Sequence, residues 1–446
     1  MRDTFQPYIA IYKKIFFIFI AYYFITSADA VDSQDAEFYQ EKIEQNVDIN
    51  EAMRRGIEFQ PRLAIENANL EKTEILNRIE QYNWHPSIQL NITRRLDSDT
   101  DDRASASSEI VKSINLTATQ NLNFLKQKLK RRISEKAVGI GFLEREGQVN
   151  NVAKGVAILY LEALRFRQLH QAAVKRQELY QELEVIIAKR KALGVVSELE
   201  VTRVEVSIKR GKAEESFLQR RLQDSLSILS DNIGIKKIDS SYLTLPDIRN
   251  PRNISSMFDD MMKNNPILRA IEEKLYLAEL NYKNSKWEKN PSVNLSLSQD
   301  YKIYREENSS GGRTGENRIL EVKVSMPIWD GFQRKGNVSI AAAEIEASKA
   351  RIRDYKLTII TQHNEQSGTF KAALDEYYYA SLAKKEAEKL LELQRINFRE
   401  SDEASVTEII SGIAEWSTSS QREVNSLIDA LQAQYEIFSL TNTLIQ

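Results

Sequence analysis

The chain carries nearly the same message twice. Of its eight prolines, four form two pairs at one offset of about 205 residues, Pro61 with Pro266 and Pro86 with Pro291. Their surroundings agree: Leu63 falls over Leu268, Leu70 over Leu275 and Glu74 over Glu279, and His85-Pro86-Ser87-Ile88-Gln89-Leu90-Asn91 answers Asn290-Pro291-Ser292-Val293-Asn294-Leu295-Ser296. One proline pair is within reach of chance; two pairs with matching neighbours are not. A duplicated chain packs its copies side by side about a pseudo-symmetry axis, so the fold expected is two copies of one hairpin-like unit.

Only 15 glycines and 8 prolines punctuate 446 residues, which means few turns and long helices. A mean hydropathy of −0.46 with 28% charged residues excludes a bundle of membrane helices. The net charge of −2 leaves no large basic surface, which argues against a nucleic-acid partner. Without cysteine, neither disulfides nor thiolate metal sites are available, as suits a chain exported to an oxidising bacterial envelope compartment. The N-terminus agrees. Arg2, Lys13 and Lys14 precede an apolar stretch from Ile15 to Ile25, and Ala28-Asp29-Ala30 offers a small-x-small cleavage site. That layout predicts a secretory signal peptide over residues 1–30, its apolar core too short to span a bilayer; the alternative is an uncleaved anchor.

Along the rest of the chain the hydrophobic period alternates between helix and strand. A helical stretch is expected from Asn50 to Tyr82. Ile88, Leu90 and Ile92 then alternate with polar residues, as do Ile114, Leu116 and Ala118, a period of two that reads as strands with one apolar face. An acidic turn with Asp97, Asp99, Asp101 and Asp102 joins them. Apolar residues at Val152, Val156, Leu159, Ala163 and Phe166 mark one face of a long helix; Gly139 and Gly141 are candidates for a bend within it. Gly194-Val195-Val196-Ser197 reads as a turn with Ser197 as N-cap. After a linker from Gly234 to about Ser256 the programme repeats: strands with Val293, Leu295, Leu297 and Leu320, Val322, Val324, an Asn308-to-Gly312 turn, a helix from Asn337, a break at Glu400 to Ser405, and a last helix with Ile409, Ile413, Trp416, Val424, Leu427, Leu431 and Phe438 in one stripe. This divides the chain at about residue 250. Residues 31–250 hold strands 86–94 and 110–120 and helices 125–233; residues 251–446 hold strands 291–303 and 317–327 and helices 337–440.

The expected fold is therefore mixed α and β, mostly long helices, with each repeat giving two strands and a helical hairpin. The strands are long enough to cross a membrane when tilted, yet four cannot close a barrel. Three copies sharing one barrel would bring twelve strands, with the serine and asparagine faces lining a pore. A small sheet packed on the helices would show the same alternation. A coiled-coil scaffold explains the helices alone and leaves the strands and signal peptide unaccounted for.

These residues resemble the TolC-like outer-membrane channels of efflux pumps and type I secretion systems. Trp84-His85-Pro86-Ser87-Ile88, repeated as Lys289-Asn290-Pro291-Ser292-Val293, resembles the family's passage into its first and third barrel strands. Val324-Ser325-Met326-Pro327-Ile328-Trp329-Asp330-Gly331 resembles its strand exit, and Gly194 to Val201 its hairpin tip. The resemblance implies a homotrimer with a 12-stranded barrel in outer-membrane lipid and an α-helical tube in the periplasm. It implies docking on a periplasmic adaptor and an inner-membrane transporter, with no chemistry and no cofactor. On this reading Val195, Val196, Ser197 and Leu199, with Ala404, Ser405 and Val406 at the second tip, dock the adaptor. The family's two acidic constriction positions fall on Glu408 and Ser411, the second no longer acidic. Glu408 then either forms a threefold carboxylate ring or caps a helix start. The first strand exit, Gln120 to Phe124, lacks the family's proline and glycine, and the second tip lacks the glycine of the first. The alternative function is a periplasmic adaptor or scaffold, which usually carries one helical hairpin and glycine-rich β-domains, unlike this chain.

Other chemistry finds no support. His85, His170 and His363 lack metal-ligand spacing, and Gly311-Gly312 sits in an Asn/Ser turn, not between a strand and a helix. Trp84, Trp287 and Trp329 fall near strand ends, suited to an interfacial girdle or to packing the junction; packing is expected for Trp329.

Overall fold

The computed structural model describes residues 47–98, 108–249, 254–306, 312–400 and 405–444. The signal peptide, Asp99, Asp101 and Asp102, the turn from Asn308 to Gly311, and Ala404 lie outside the described residues. In chain order the elements are α1 (Ile49–Phe59), α2 (Pro61–Tyr82), β1 (Ser87–Ser98), β2 (Ser108–Asn121), α3 (Phe124–Ala192), α4 (Glu198–Ile233), a 3-10 turn at Ser240–Tyr242, α5 (Ile254–Asn264), α6 (Pro266–Trp287), β3 (Ser292–Glu306), β4 (Gly312–Ser325), α7 (Gln333–Glu400) and α8 (Val406–Leu440).

The duplication extends one helix further than the prolines suggest. α1 and α5 are both 11 residues long, and α2 and α6 are both 22. The single helix expected from Asn50 to Tyr82 is two. Gln60 is extended (φ −66°, ψ 119°) because Pro61 at N1 of α2 clashes with a helical residue before it. Asn265 is extended in the same way before Pro266, and its side chain accepts the Leu268 N–H at 3.0 Å. The expected linker accordingly closes at Ile254, where α5 begins.

The helix does not break at Gly139 or Gly141. α3 runs unbroken for 69 residues, about 100 Å at 1.5 Å per residue. Gly141 serves a close approach instead: a Cβ there would stand 3.1 Å from Leu70 Cδ1 of α2. The first strand exit replaces proline and glycine with asparagines. Asn121 Oδ1 accepts the Asn123 N–H at 2.8 Å, and Asn123 Oδ1 accepts the Val293 N–H at 3.2 Å.

The four strands form one antiparallel sheet in the order β1-β2-β3-β4, with the strand ends that adjoin helices on one side and Ser98, Ser108, Glu306 and Gly312 on the other. The helices pack as two hairpins, α3 with α4 and α7 with α8, joined where α3 meets α8. Their core is a series of clusters along the helix axes. The largest unites α1, α2, α3, α4 and α8 around Tyr160, Leu161, Leu164, Leu229, Ile428 and Leu431. The chain between the repeats is strapped to it by Tyr160, whose hydroxyl lies 2.8 Å from the carbonyl oxygens of Val47 and Thr244 and accepts the Thr244 N–H at 2.7 Å. Burial pushes this phenol's pKa up, so it remains a donor at neutral pH.

Replacing Tyr160 with Phe strands buried backbone groups and is expected to cost about 1–3 kcal/mol, read as a lower denaturation midpoint. Tyr435, buried in the same cluster, has its pKa pushed up to about 12 by desolvation. Its proton leaves the unfolded chain near the ordinary tyrosine value but is retained in the fold. Stability present below about pH 10 is therefore lost between about pH 10 and 12, by roughly 2–3 kcal/mol. Tyr435→Phe should flatten that part of the stability curve, measured by denaturation across the alkaline range.

Candidate functional site

The register sorts the sheet into two faces. One carries cross-strand rows such as Ile88, Ala118, Leu297 and Leu320; the other carries rows such as Gln89, Thr117 and Ser298, or Asn91, Asn115, Asp300 and Asn317. On the polar face Asn115 donates to Asp300 and accepts from the Thr117 hydroxyl at 2.6 Å. Neither face is covered. Ile88 and Leu320 are each 70% exposed and Ile92 is 68% exposed, and Asn91 and Thr93 on the other face are exposed as well. The sheet is therefore not packed on the helices. Among the described residues, β1 and β4 each leave one edge unpaired.

At the helical end of the sheet the junction is apolar and open. Ile328 is 94% exposed and Trp329 86%, so the packing expected of Trp329 is absent within the chain; past β4 the backbone is left-handed at Gly331 (φ 61°). Trp287 is the tryptophan that packs, lining a cleft with Leu122, Phe124, Leu125 and Pro291. Asp330 anchors the start of α7: its carboxylate accepts from the Arg334 backbone N–H at 3.0 Å and from its guanidinium, and this hydrogen bonding lowers its pKa.

At the other end of the helices, each hairpin tip is set by local chemistry. α3 ends in a Schellman turn, with Gly194 left-handed (φ 74°), its N–H on Lys191 O and the Val195 N–H on Arg190 O, both at 3.0 Å. α4 starts with a capping box between Ser197 and Glu200. At the second tip Ser405 caps α8, its hydroxyl accepting the Thr407 N–H at 3.2 Å. Val195, Ser197 and Leu199 are exposed, Val196 is half-buried against the tip core, and Ser405 is half-buried. Val406 is 1% exposed, packed in the cluster with Phe398, Ile409, Ile413 and Trp416. It therefore has no surface to offer a partner.

Glu408 and Ser411 both stand on the exposed stripe of α8. Glu408 also lies in the first turn of α8, where a carboxylate complements the helix dipole. The Ser411 hydroxyl is turned back onto Thr407 O and Glu408 O, at 2.9 Å each. The stripe continues through Glu415, an acidic residue at i+7 from Glu408 that the spacing alone would have brought out. The two hairpins are tied near their tips by Arg203 donating to the Thr407 hydroxyl at 2.9 Å, by Arg190 donating to Phe398 O with its guanidinium 4.2 Å over the Phe398 ring, and by Arg395 paired with Glu182. Among the described residues no cluster of side chains is arranged to hold a metal ion, and no helix is long and apolar enough to cross a membrane.

This arrangement of bare sheet and paired helical hairpins is the fold of TolC-like outer-membrane channels. The Campylobacter jejuni outer membrane channel CmeC superposes with a TM-score of 0.77 at 12% identity, covering 89% of this chain and 85% of CmeC. The outer membrane protein VceC of Vibrio cholerae gives 0.74 at 13% identity, covering 89% and 97%. The sequence signature of the outer membrane efflux protein family matches residues 258–407, in the second repeat. Protein CyaE of Bordetella pertussis is 22% identical over 202 residues, a stretch that is 44% of this chain and 42% of CyaE.

Ser197→Ala removes the capping box and should cost about 1 kcal/mol. Hydrogen exchange should show it as a loss of protection confined to the first turn of α4, with α7 and α8 unchanged.

Proposed function

We propose that the chain is one third of a trimeric exit duct in the outer membrane of a Gram-negative bacterium, exported by a cleavable signal peptide. The observation that carries this reading is the sheet, apolar over most of one face, polar over most of the other and bare on both. Its strands are 12 to 15 residues long, against the roughly 9–11 a tilted membrane strand needs. Three sheets joined β4 to β1 give a closed barrel of twelve strands, the apolar rows toward lipid and the polar rows toward water. The helical hairpins, on one side of the sheet, then form the wall of a tube reaching into the periplasm.

The duct performs no chemistry. A periplasmic adaptor, coupled to an inner-membrane transporter, docks on the tips through Val195, Ser197, Leu199 and Ser405. Glu408 narrows the tube as a threefold carboxylate ring, with Ser411 and Glu415 on the same stripe. The contacts of Arg190, Arg203 and Arg395 between hairpins hold the tips together until docking dilates them.

The test is the oligomeric mass in detergent together with single-channel conductance in a planar bilayer. The reading expects a threefold mass and small, discrete, cation-selective steps; a monomer that never conducts overturns it. Glu408→Ala should raise conductance and lower the cation-to-anion permeability ratio by roughly threefold or more. Unchanged selectivity would remove Glu408 from the constriction and leave the duct standing.

A further inference from the structure

The outward face of the sheet does not stay apolar to its end. On β1 the series Ile88, Leu90, Ile92 gives way to Arg94; on β2 the series Ala118, Leu116, Ile114 gives way to Lys112. Arg94 and Lys112 are direct cross-strand partners, and both are exposed. Like charges directly opposite on one face repel. The next positions in the row are Ile303 and Thr314, and the register puts the backbone of Arg305 two residues beyond Ile303. Among the described residues the nearest acid on this face is Glu316, already committed to Arg318 at 2.9 Å and to Gln299 at 3.0 Å. Neither Arg94 nor Lys112 makes an ion pair with a described residue. Asp300, three residues before Ile303 on β3, lies on the other face. The sheet thus sends outward two cations without a carboxylate partner among the described residues, placed to meet an anion from outside the chain.

Their height says which anion. Lys112 stands nine residues along β2 from Asn121, where the strand meets the helical end. At about 3.4 Å per residue and a tilt near 40°, that is roughly 23 Å, close to the ~25 Å of an outer-membrane barrel's apolar band. The pair lies on the hairpin side, away from the helices. Resting on the duct reading above, we infer that Arg94 and Lys112 bind the phosphate groups of a phosphorylated glycolipid in the outer leaflet. The guanidinium supplies a planar fork for phosphate oxygens and the ammonium a point charge beside it. A trimer carries three such pairs around its rim.

The purified oligomer is titrated with a bisphosphorylated lipid A and with the same lipid stripped of phosphate, bound lipid being counted by native mass spectrometry. Each basic residue near an anionic surface contributes roughly fivefold, so R94Q/K112Q should bind the phosphorylated lipid about 25-fold more weakly. R94Q and K112Q should show about fivefold each should the double variant fail to assemble. R318Q, whose cation is already paired, should stay near wild type, and inorganic phosphate at equal concentration should not compete. Equal binding of the stripped lipid, an unaffected variant, or competition by free phosphate each overturns the rim. A protein that conducts in bilayers yet ignores the lipid phosphate loses the rim alone; one that never inserts loses the duct as well.

Discussion

The unpaired outer edges of β1 and β4 are the constraint that any assembly of this chain has to meet. In hydrocarbon each unsatisfied peptide group costs several kcal/mol, and strands of 12 and 14 residues expose a row of them. A lone copy of this sheet is thus insoluble in lipid for want of partners and in water for its apolar face. Closure with further copies removes both problems in one step. Under the proposed reading, closure also sets the radius on which the helices stand, since each strand runs almost directly into a helix.

Below the sheet, the tube wall trades a continuous apolar seam for alternating layers. The cluster of Leu169, Ala173, Leu218 and Val424 is separated from the tip cluster around Leu183, Ile208 and Trp416 by a buried polar layer. There Arg176 pairs with Glu214 at 2.7 Å and donates to the Ser417 hydroxyl at 3.3 Å, and Glu214 also accepts from Gln421 at 2.8 Å. Such a layer adds little net stability, but removing Glu214 would leave Arg176, whose side chain is 9% exposed, without its ion pair. Slippage of α8 by a turn would carry Ser417 and Gln421 away from the Arg176–Glu214 pair. For helices this long, register is the risk a polar layer guards against.

The two repeats share a plan and differ where they meet other things. Their helices match to within one residue in length, 69 against 68 and 36 against 35. Their ends diverge. One strand exit is built by Pro327 and Gly331 and the other by Asn121 and Asn123. One tip turns on a left-handed glycine with a full capping box, while the other begins α8 with Ser405 alone. Packing between the hairpins demands equal length, whereas turns answer only to local hydrogen bonding and can drift.

Much of this was legible in the sequence because its causes are local. Period-two alternation at Ile88 to Ile92 and Leu320 to Val324 marked strands, Ser197 and Gly194 marked a tip, and the paired prolines marked the repeat and its joints. The split at Gln60 was also written there, in the residue before Pro61, but the helical period ran across it. What no pattern contained was coverage. Alternation looks the same whether an apolar face meets helices or nothing, and only the tertiary structure left both faces of the sheet bare. The same limit applied to Val406, whose burial depends on Phe398 and Trp416 arriving from other turns, and to Trp329, which the chain folds away from. Sequence by itself determined the elements, their order and their duplication, since dihedral preference and hydrophobic period act within a few residues. Which surfaces are left for lipid, partner or pore was decided by tertiary structure, because burial is a property of residues far apart in the chain.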